Sequence, residues 1–152
     1  MTHTTRIAIL VGLSLACLAG CGGRRPAGNT ITPIRLTGCP AAQDAPADQR
    51  SLAAMIAAMQ ASRYAVYKVS PAEFKVFTDY TTVRGMQVAF EAQIYSDGSA
   101  SLYLPSTMPM QSGDALAKIQ KYADKLARTF DRLKCMPTAW LRLEAARAGY
   151  VF

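Results

Sequence analysis

The chain has 152 residues and carries 17 Lys and Arg against 10 Asp and Glu, a formal net charge of +7, with one His and four Cys. So basic a balance points to anionic partners, either phosphate-bearing lipids or acidic protein faces. No nucleic-acid module and no alternation of polar and aromatic clusters turns it toward nucleic acid.

Behind Arg6, the residues from Ile7 to Ala19 are apolar or small throughout. A helix of that length reaches about 20 Å against a hydrocarbon core of roughly 30 Å, too short to span a membrane. The pattern is that of a secretory leader. It closes on Leu18-Ala19-Gly20-Cys21, which runs aliphatic, small, small, thiol. This tetrad resembles the lipobox of bacterial lipoproteins; Cys17 fits less well, because Ser14 stands where an aliphatic residue belongs. The resemblance implies removal of residues 1–20 and diacylation of Cys21. The acyl chains would anchor the protein to a membrane, each buried CH₂ adding about 0.8 kcal/mol. Gly22 rather than Asp follows the Cys, which by the same resemblance implies the outer membrane, facing the periplasm. The competing readings are an ordinary signal peptide with a Cys at its cleavage site, or a buried N-terminal helix. For the latter, Gly20 to Pro26 offers neither partner nor cap.

The chain from Cys21 onward is long enough for one compact domain and too short for two. Export makes nucleic acid an unexpected partner. His3 and Cys17 depart with the leader and Cys21 takes lipid, so Cys39 and Cys135 remain. In an oxidising compartment these two read as a disulfide, with two unpaired buried thiols as the alternative. The bridge would close a loop of about 97 residues, worth roughly 4–5 kcal/mol in the chain-entropy account. Without His, a zinc site would need carboxylates and two separated thiolates, and no metal or cofactor is expected.

Residues 21–47 read as a tether rich in Gly and Pro; Thr30 to Leu36 has strand character, but Pro33 demotes it to an edge. Asp48 is the expected N-cap of a helix to Ser62, with Leu52, Met55, Ile56 and Met59 at three- and four-residue steps and alanines on the flanks. Tyr64 to Val69 reads as a strand, and Ser70-Pro71-Ala72-Glu73 has the form of a capping box around one helical turn. Phe74 to Val83 and Met86 to Tyr95 read as strands turned at Gly85, with Val88, Phe90, Ala92 and Ile94 facing one way. Asp97-Gly98 then marks a hairpin into Leu102 and Leu104. Ser112 should cap a long helix to Lys134, its apolar stripe Leu116, Ile119, Ala123, Leu126, Phe130 and Leu133 lying across the sheet. Pro137 stops it, and a short helix follows through Trp140, Leu141 and Leu143 to Gly149, leaving Tyr150-Val151-Phe152 to pack on the core. The expectation is an α+β domain over 48–152. An antiparallel sheet of three to four strands would be packed by an N-terminal helix and a long C-terminal helix, with a short terminal helix after them.

Little in this pattern speaks for catalysis. General acid–base work would fall to carboxylates, Lys or Tyr. Asp79 and Glu91 lie on adjacent expected strands, but on the polar side of an alternating pattern, where a solvated face is the simpler reading. No nucleophile elbow or phosphate-binding Gly loop is present, so the chain is not expected to be an enzyme. More distinctive are Lys118, Lys121, Lys125, Arg128 and Arg132, which step by three and four nearly opposite the apolar stripe. They make either a solvated helix face or a surface that docks an acidic partner or anionic headgroups. The expected function is that of a structural or adaptor lipoprotein in an envelope assembly, with a protein partner. The alternative is a lipoprotein that binds a lipid, glycan or peptide between sheet and helix, lined by Tyr64, Tyr67, Phe77, Tyr80, Phe90, Tyr95 and Tyr103.

Overall fold

A computed structural model describes residues 31, 33–106, 108 and 111–152. The lipobox, Cys21 and the first part of the expected tether lie outside the described residues. Five strands form an antiparallel sheet: β1 (Ile34–Leu36), β2 (Val66–Ser70), β3 (Lys75–Thr78), β6 (Glu91–Ile94) and β7 (Ala100–Tyr103), in the order β1-β7-β6-β3-β2. A separate two-stranded hairpin pairs β4 (Thr81–Val83) with β5 (Met86–Val88). Three helices complete the α+β fold: α1 (Ala47–Ala61), α2 (Gly113–Leu133) and α3 (Thr138–Arg147).

The organising element is α1, which packs against β2, β3 and β6 on one side and against α2 and α3 on the other. Ten consecutive residues, Arg50 to Met59, are buried. A helix that is apolar all round belongs inside a domain, and the small residues Ala53, Ala54, Ala57 and Ala58 let neighbours approach on every side. This corrects two expectations. The buried surface of α1 is no stripe, and the helix lying on the sheet is α1, while α2 packs on α1 and on the edge strand β1. Asp48 is not the cap either. Pro46 holds the N-cap position, and Asp48 sits in the first turn with Oδ1 accepting from the amide of Gln49 at 2.7 Å. There it still favours the positive end of the helix dipole.

Sheet register sorts the side chains by alternation. Ile34, Leu102, Ala92, Val76 and Val69 form one row across the inner face. Arg35, Ser101, Gln93, Lys75 and Ser70 form the adjoining row on the outer face, beside a third row of Tyr103, Glu91, Phe77 and Lys68. The two long strands read from sequence are each broken. The ladder of β3 ends at Thr78, whose Oγ1 accepts from the amide of Phe90 at 2.8 Å while its own amide donates to Phe90 O at 3.0 Å. Beyond it the chain leaves the sheet as β4 and β5, and Arg84 and Gly85 adopt φ of 49° and 78°, the positive pair that a two-residue I′ turn requires. Val88, Phe90, Ala92 and Ile94 nevertheless all face the core as expected. The turn Pro71–Glu73 forms, but as a 3-10 turn with no side-chain cap.

The segment expected as tether is, from residue 33 on, part of the domain. β1 extends the sheet to five strands, because the residues after Pro33 keep every amide that pairing with β7 needs. Gly38 then crosses the β6–β7 hairpin so closely that a Cβ would lie 2.0 Å from Gly98 O. Next, Cys39 is joined to Cys135 by a disulfide, with Cα atoms 5.3 Å apart. Polar contacts rivet the same segment to the α2–α3 corner. Lys134 Nζ donates to Thr37 O at 2.7 Å, Thr138 Oγ1 to Asp44 Oδ1 at 3.1 Å, and Arg142 Nη2 to Asp44 O at 2.8 Å.

Both C-terminal helices end by identifiable means. Ser112 Oγ accepts from Ala115 N at 3.3 Å, the expected cap of α2. Gly149, at φ 78°, closes α3, with Gly149 N donating to Ala146 O and Tyr150 N to Ala145 O, the paired bonds of a Schellman motif. Tyr150 packs inward and stacks on Phe152, whereas Val151 is 83% exposed. Leu143 is exposed as well, whereas Thr138, Leu141 and Ala145 of that helix are buried and Trp140 is half-buried against the core. Among the described residues, no helix is long and apolar enough to cross a membrane.

Replacing both Cys39 and Cys135 with Ala is expected to lower the unfolding free energy by about 4–5 kcal/mol, measured by urea denaturation against the oxidised protein. Gly38→Ala should cost about 1–3 kcal/mol by forcing the hairpin backbone away, read as a lower thermal midpoint with unchanged secondary structure.

Candidate functional site

The long helix α2 supplies the clearest chemical asymmetry. Ile119, Ala123, Leu126, Ala127 and Phe130 are buried, and Lys118, Lys121, Lys125, Arg128 and Arg132 are all exposed. With the first face locked against α1 and β1, the cations form a row of roughly 21 Å at 1.5 Å per residue. Neighbouring carboxylates do not neutralise it. Asp124 accepts from Gln120 Nε2 at 3.1 Å, and Asp131 pairs with Lys134 at 2.9 Å. Among the described residues, none of the five cations takes part in an ion pair. Like charges at such spacing cost a helix a few tenths of a kcal/mol per pair, so the row does nothing for the stability of α2 itself.

The β4–β5 hairpin extends this face. Arg84, exposed at the I′ turn, joins Lys118 and Lys121 around a cleft of about 480 Å³ whose remaining lining is Val83, Met86 and Tyr122. Farther along, Lys125, Arg128, Asp131 and Arg132 border a second open cleft of about 470 Å³. Sequence reasoning missed Arg84. The positive-φ turn was legible at Gly85, but no local signal says that the hairpin leans on the N-terminal half of α2.

The aromatic residues named above as a lining divide between two places. Tyr64 and Phe90 pack edge to face in the core at 5.0 Å between ring centroids, and burial raises the Tyr64 pKa. Leu52, Met55, Met59, Val76, Ala92 and Leu102 fill the rest of the sheet–helix interface, each fully buried. Among the described residues, side chains thus occupy the interface where the alternative reading set a ligand. The other five rings lie on or beside the outer face of the sheet. Tyr67 and Phe77 are 6.3 Å apart, and Lys68 Nζ stands 5.3 Å over the Phe77 ring.

Asp79 and Glu91 border one groove of about 200 Å³ on that face, together with Tyr67, Phe77 and Tyr80. Each has a partner already. Glu91 lies 3.4 Å from Lys75 Nζ, and Asp79 Oδ1 accepts from the amide of Tyr80 at 2.7 Å. At the other end, Tyr95 Oη is 3.3 Å from Ser101 Oγ and 3.2 Å from Tyr103 Oη. Those two hydroxyls favour the Tyr95 phenolate and hold its pKa below the usual phenol range, while the proton shared toward Tyr95 holds Tyr103 above it. Among the described residues, no group of His, Cys, Asp and Glu is arranged to hold a metal ion.

The hairpin beside Tyr95 carries its own pH dependence. Asp97 Oδ1 accepts from Ser99 Oγ at 2.6 Å and from Ser99 N at 2.9 Å, and these bonds hold its pKa below the ordinary 3.8. The unfolded chain therefore binds the proton more readily, so the stabilisation is present above pH 3.8 and disappears as pH falls through the lower folded value. Urea unfolding of Asp97→Asn should show its deficit against wild type at pH 6 narrowing at pH 2.5. No protein-family model matches the chain, and no curated protein matches its sequence.

Proposed function

We propose that this protein is a lipid-anchored envelope lipoprotein, held at the periplasmic face of the outer membrane through Cys21. In this reading it serves as an adaptor that docks an acidic protein surface of a larger assembly. The observation that carries the docking role is the unneutralised row Lys118, Lys121, Lys125, Arg128 and Arg132, enlarged by Arg84. A rigid row of uncompensated charge steers and orients an oppositely charged partner, with most of its effect on association rate and register. The Cys39–Cys135 disulfide supports an oxidising location. The packed interior and the partnered carboxylates favour a binding role over catalysis.

The anchor and the docking face are tested separately. Cys21→Ser is expected to release the protein from sedimenting membranes into the soluble periplasm; continued sedimentation overturns the anchor. In intact envelopes, wild-type protein should crosslink to a protein partner. The variant Lys121→Glu/Lys125→Glu/Arg128→Glu should lower that recovery by about tenfold or more, because juxtaposed like charges are strongly unfavourable at an interface. Capture that is equal for the two, or absent for the wild type, overturns the adaptor reading.

A further inference from the structure

We propose that the outer face of the five-stranded sheet binds a short, uncharged oligosaccharide lying across the strands. This surface lies beyond α1 from the basic helix face, and the proposal does not depend on the adaptor reading. Three open cavities adjoin one another along it. Tyr95 borders both the first, of about 470 Å³, and the second, of about 510 Å³. Glu91 and Ser106 border both the second and the third, of about 200 Å³. From β1 to β2 the sheet spans four interstrand spacings, roughly 19 Å, so the groove suits several linked rings better than one.

The chemistry of the groove selects the occupant. Tyr67, Tyr80 and Tyr95 are 64%, 42% and 41% exposed, a concentration of large rings on one face that scattered surface residues do not produce. A pyranose presents an apolar C–H face and hydroxyl edges, and tyrosine matches both with a ring and a hydroxyl on one side chain. The surrounding polar groups are held in place before any ligand arrives. Gln93 Nε2 donates to Glu73 O at 2.8 Å, Lys75 pairs with Glu91, and Tyr95, Ser101 and Tyr103 share one hydroxyl network. Preorganisation of this kind lowers the cost of binding.

Charge narrows the choice further. The cavities are lined by Arg35 and Lys75 against Asp79, Glu91 and Asp97, with Lys68 beside them over the Phe77 ring, so this face mixes both signs with no excess, in contrast to the uniformly basic row on α2. A neutral ligand complements that balance, and a phosphate-bearing one does not. An extended peptide would add to a sheet through unpaired backbone groups at an edge. Of these rings only Tyr67 lies on an edge strand, β2; Phe77 and Tyr103 lie on β3 and β7, which are paired on both sides, and Tyr80 and Tyr95 follow β3 and β6. An acyl chain needs an enclosed apolar cavity, and these cavities are open and bordered by polar groups.

The test uses the full chain in detergent, titrated calorimetrically with chitotetraose, cellotetraose and maltotetraose. At least one should bind, and raising NaCl from about 0.05 to 0.5 M should leave that binding unchanged, since screening acts on charge. Tyr67→Ala and Tyr95→Ala are each expected to weaken it by about tenfold, with Tyr95→Phe retaining part of the affinity through its ring. Lys121→Glu/Arg128→Glu should leave it intact, separating this groove from the α2 face. Binding of none of the three sugars at millimolar concentration overturns the proposal, as does binding indifferent to both tyrosines. A concentration-dependent dimer abolished by the tyrosine changes, with no sugar bound, also overturns it and assigns the face to a second copy of the chain.

Discussion

Helix α1 has no side turned to solvent along Arg50 to Met59, and the placement of β2, β3, β6, α2 and α3 follows from covering it. The inner face of the sheet closes one side and α2 with α3 close the other. Full burial of Leu52, Met55, Ile56 and Met59 contributes about 1.5–3 kcal/mol each. The intervening alanines let neighbouring helices approach closely, since interaxial distance is set by the side chains at the contact. Burial of this helix also sets a polar problem at its start, and the Arg50 guanidinium answers part of it by donating to Met136 O at 3.3 Å. That bond ties the helix to the turn between α2 and α3.

Encasing α1 spends only one face of each covering layer. The sheet is left with an open outer surface of tyrosines and balanced charge, and α2 with an open row of cations. The two surfaces differ in the ligands they can recognise and are separated by the buried helix, so neither screens the other. The α2–α3 corner keeps this arrangement from sliding. The disulfide, the Lys134 bond to Thr37 O and the pair of bonds to Asp44 converge there from segments almost a hundred positions apart. β1 is thereby held at the sheet edge, where it widens the outer face by one strand and brings Arg35 beside Ser101.

Legibility in the sequence tracked the range of the forces involved. The α2 helix was plain because its apolar stripe, its Ser112 cap and its polar face are all repeated within a few residues. The Asp97-Gly98 hairpin was plain because its positive φ falls on Gly98, a requirement local to the turn. Alternation across Val88, Phe90, Ala92 and Ile94 gave the correct buried face, yet could not show that the strand breaks at Ala89 and Phe90. That break comes from Thr78 and Phe90 exchanging hydrogen bonds across the sheet, twelve positions apart. The full burial of α1 was hidden for the same reason. Alanine tolerates exposure and burial equally well, so its environment is decided by what packs on it.

By itself the sequence determined the α+β class, the periods of the helices and strands, the turn at Gly85 and the pairing of the two cysteines that the lipobox resemblance leaves over. It also carried the cationic row of α2, because residues three and four apart on a helix share a face whatever lies around them. Only the tertiary structure decided that Ile34–Leu36 joins the sheet, that Arg84 meets Lys118 and Lys121, and that Tyr67, Tyr95 and Tyr103 stand outside the core while Tyr64 stands within. Each of those outcomes depends on which face of an element meets another element distant in the chain. Local propensity and periodicity hold no record of that choice, since an aromatic residue suits a strand equally well on either side of the sheet.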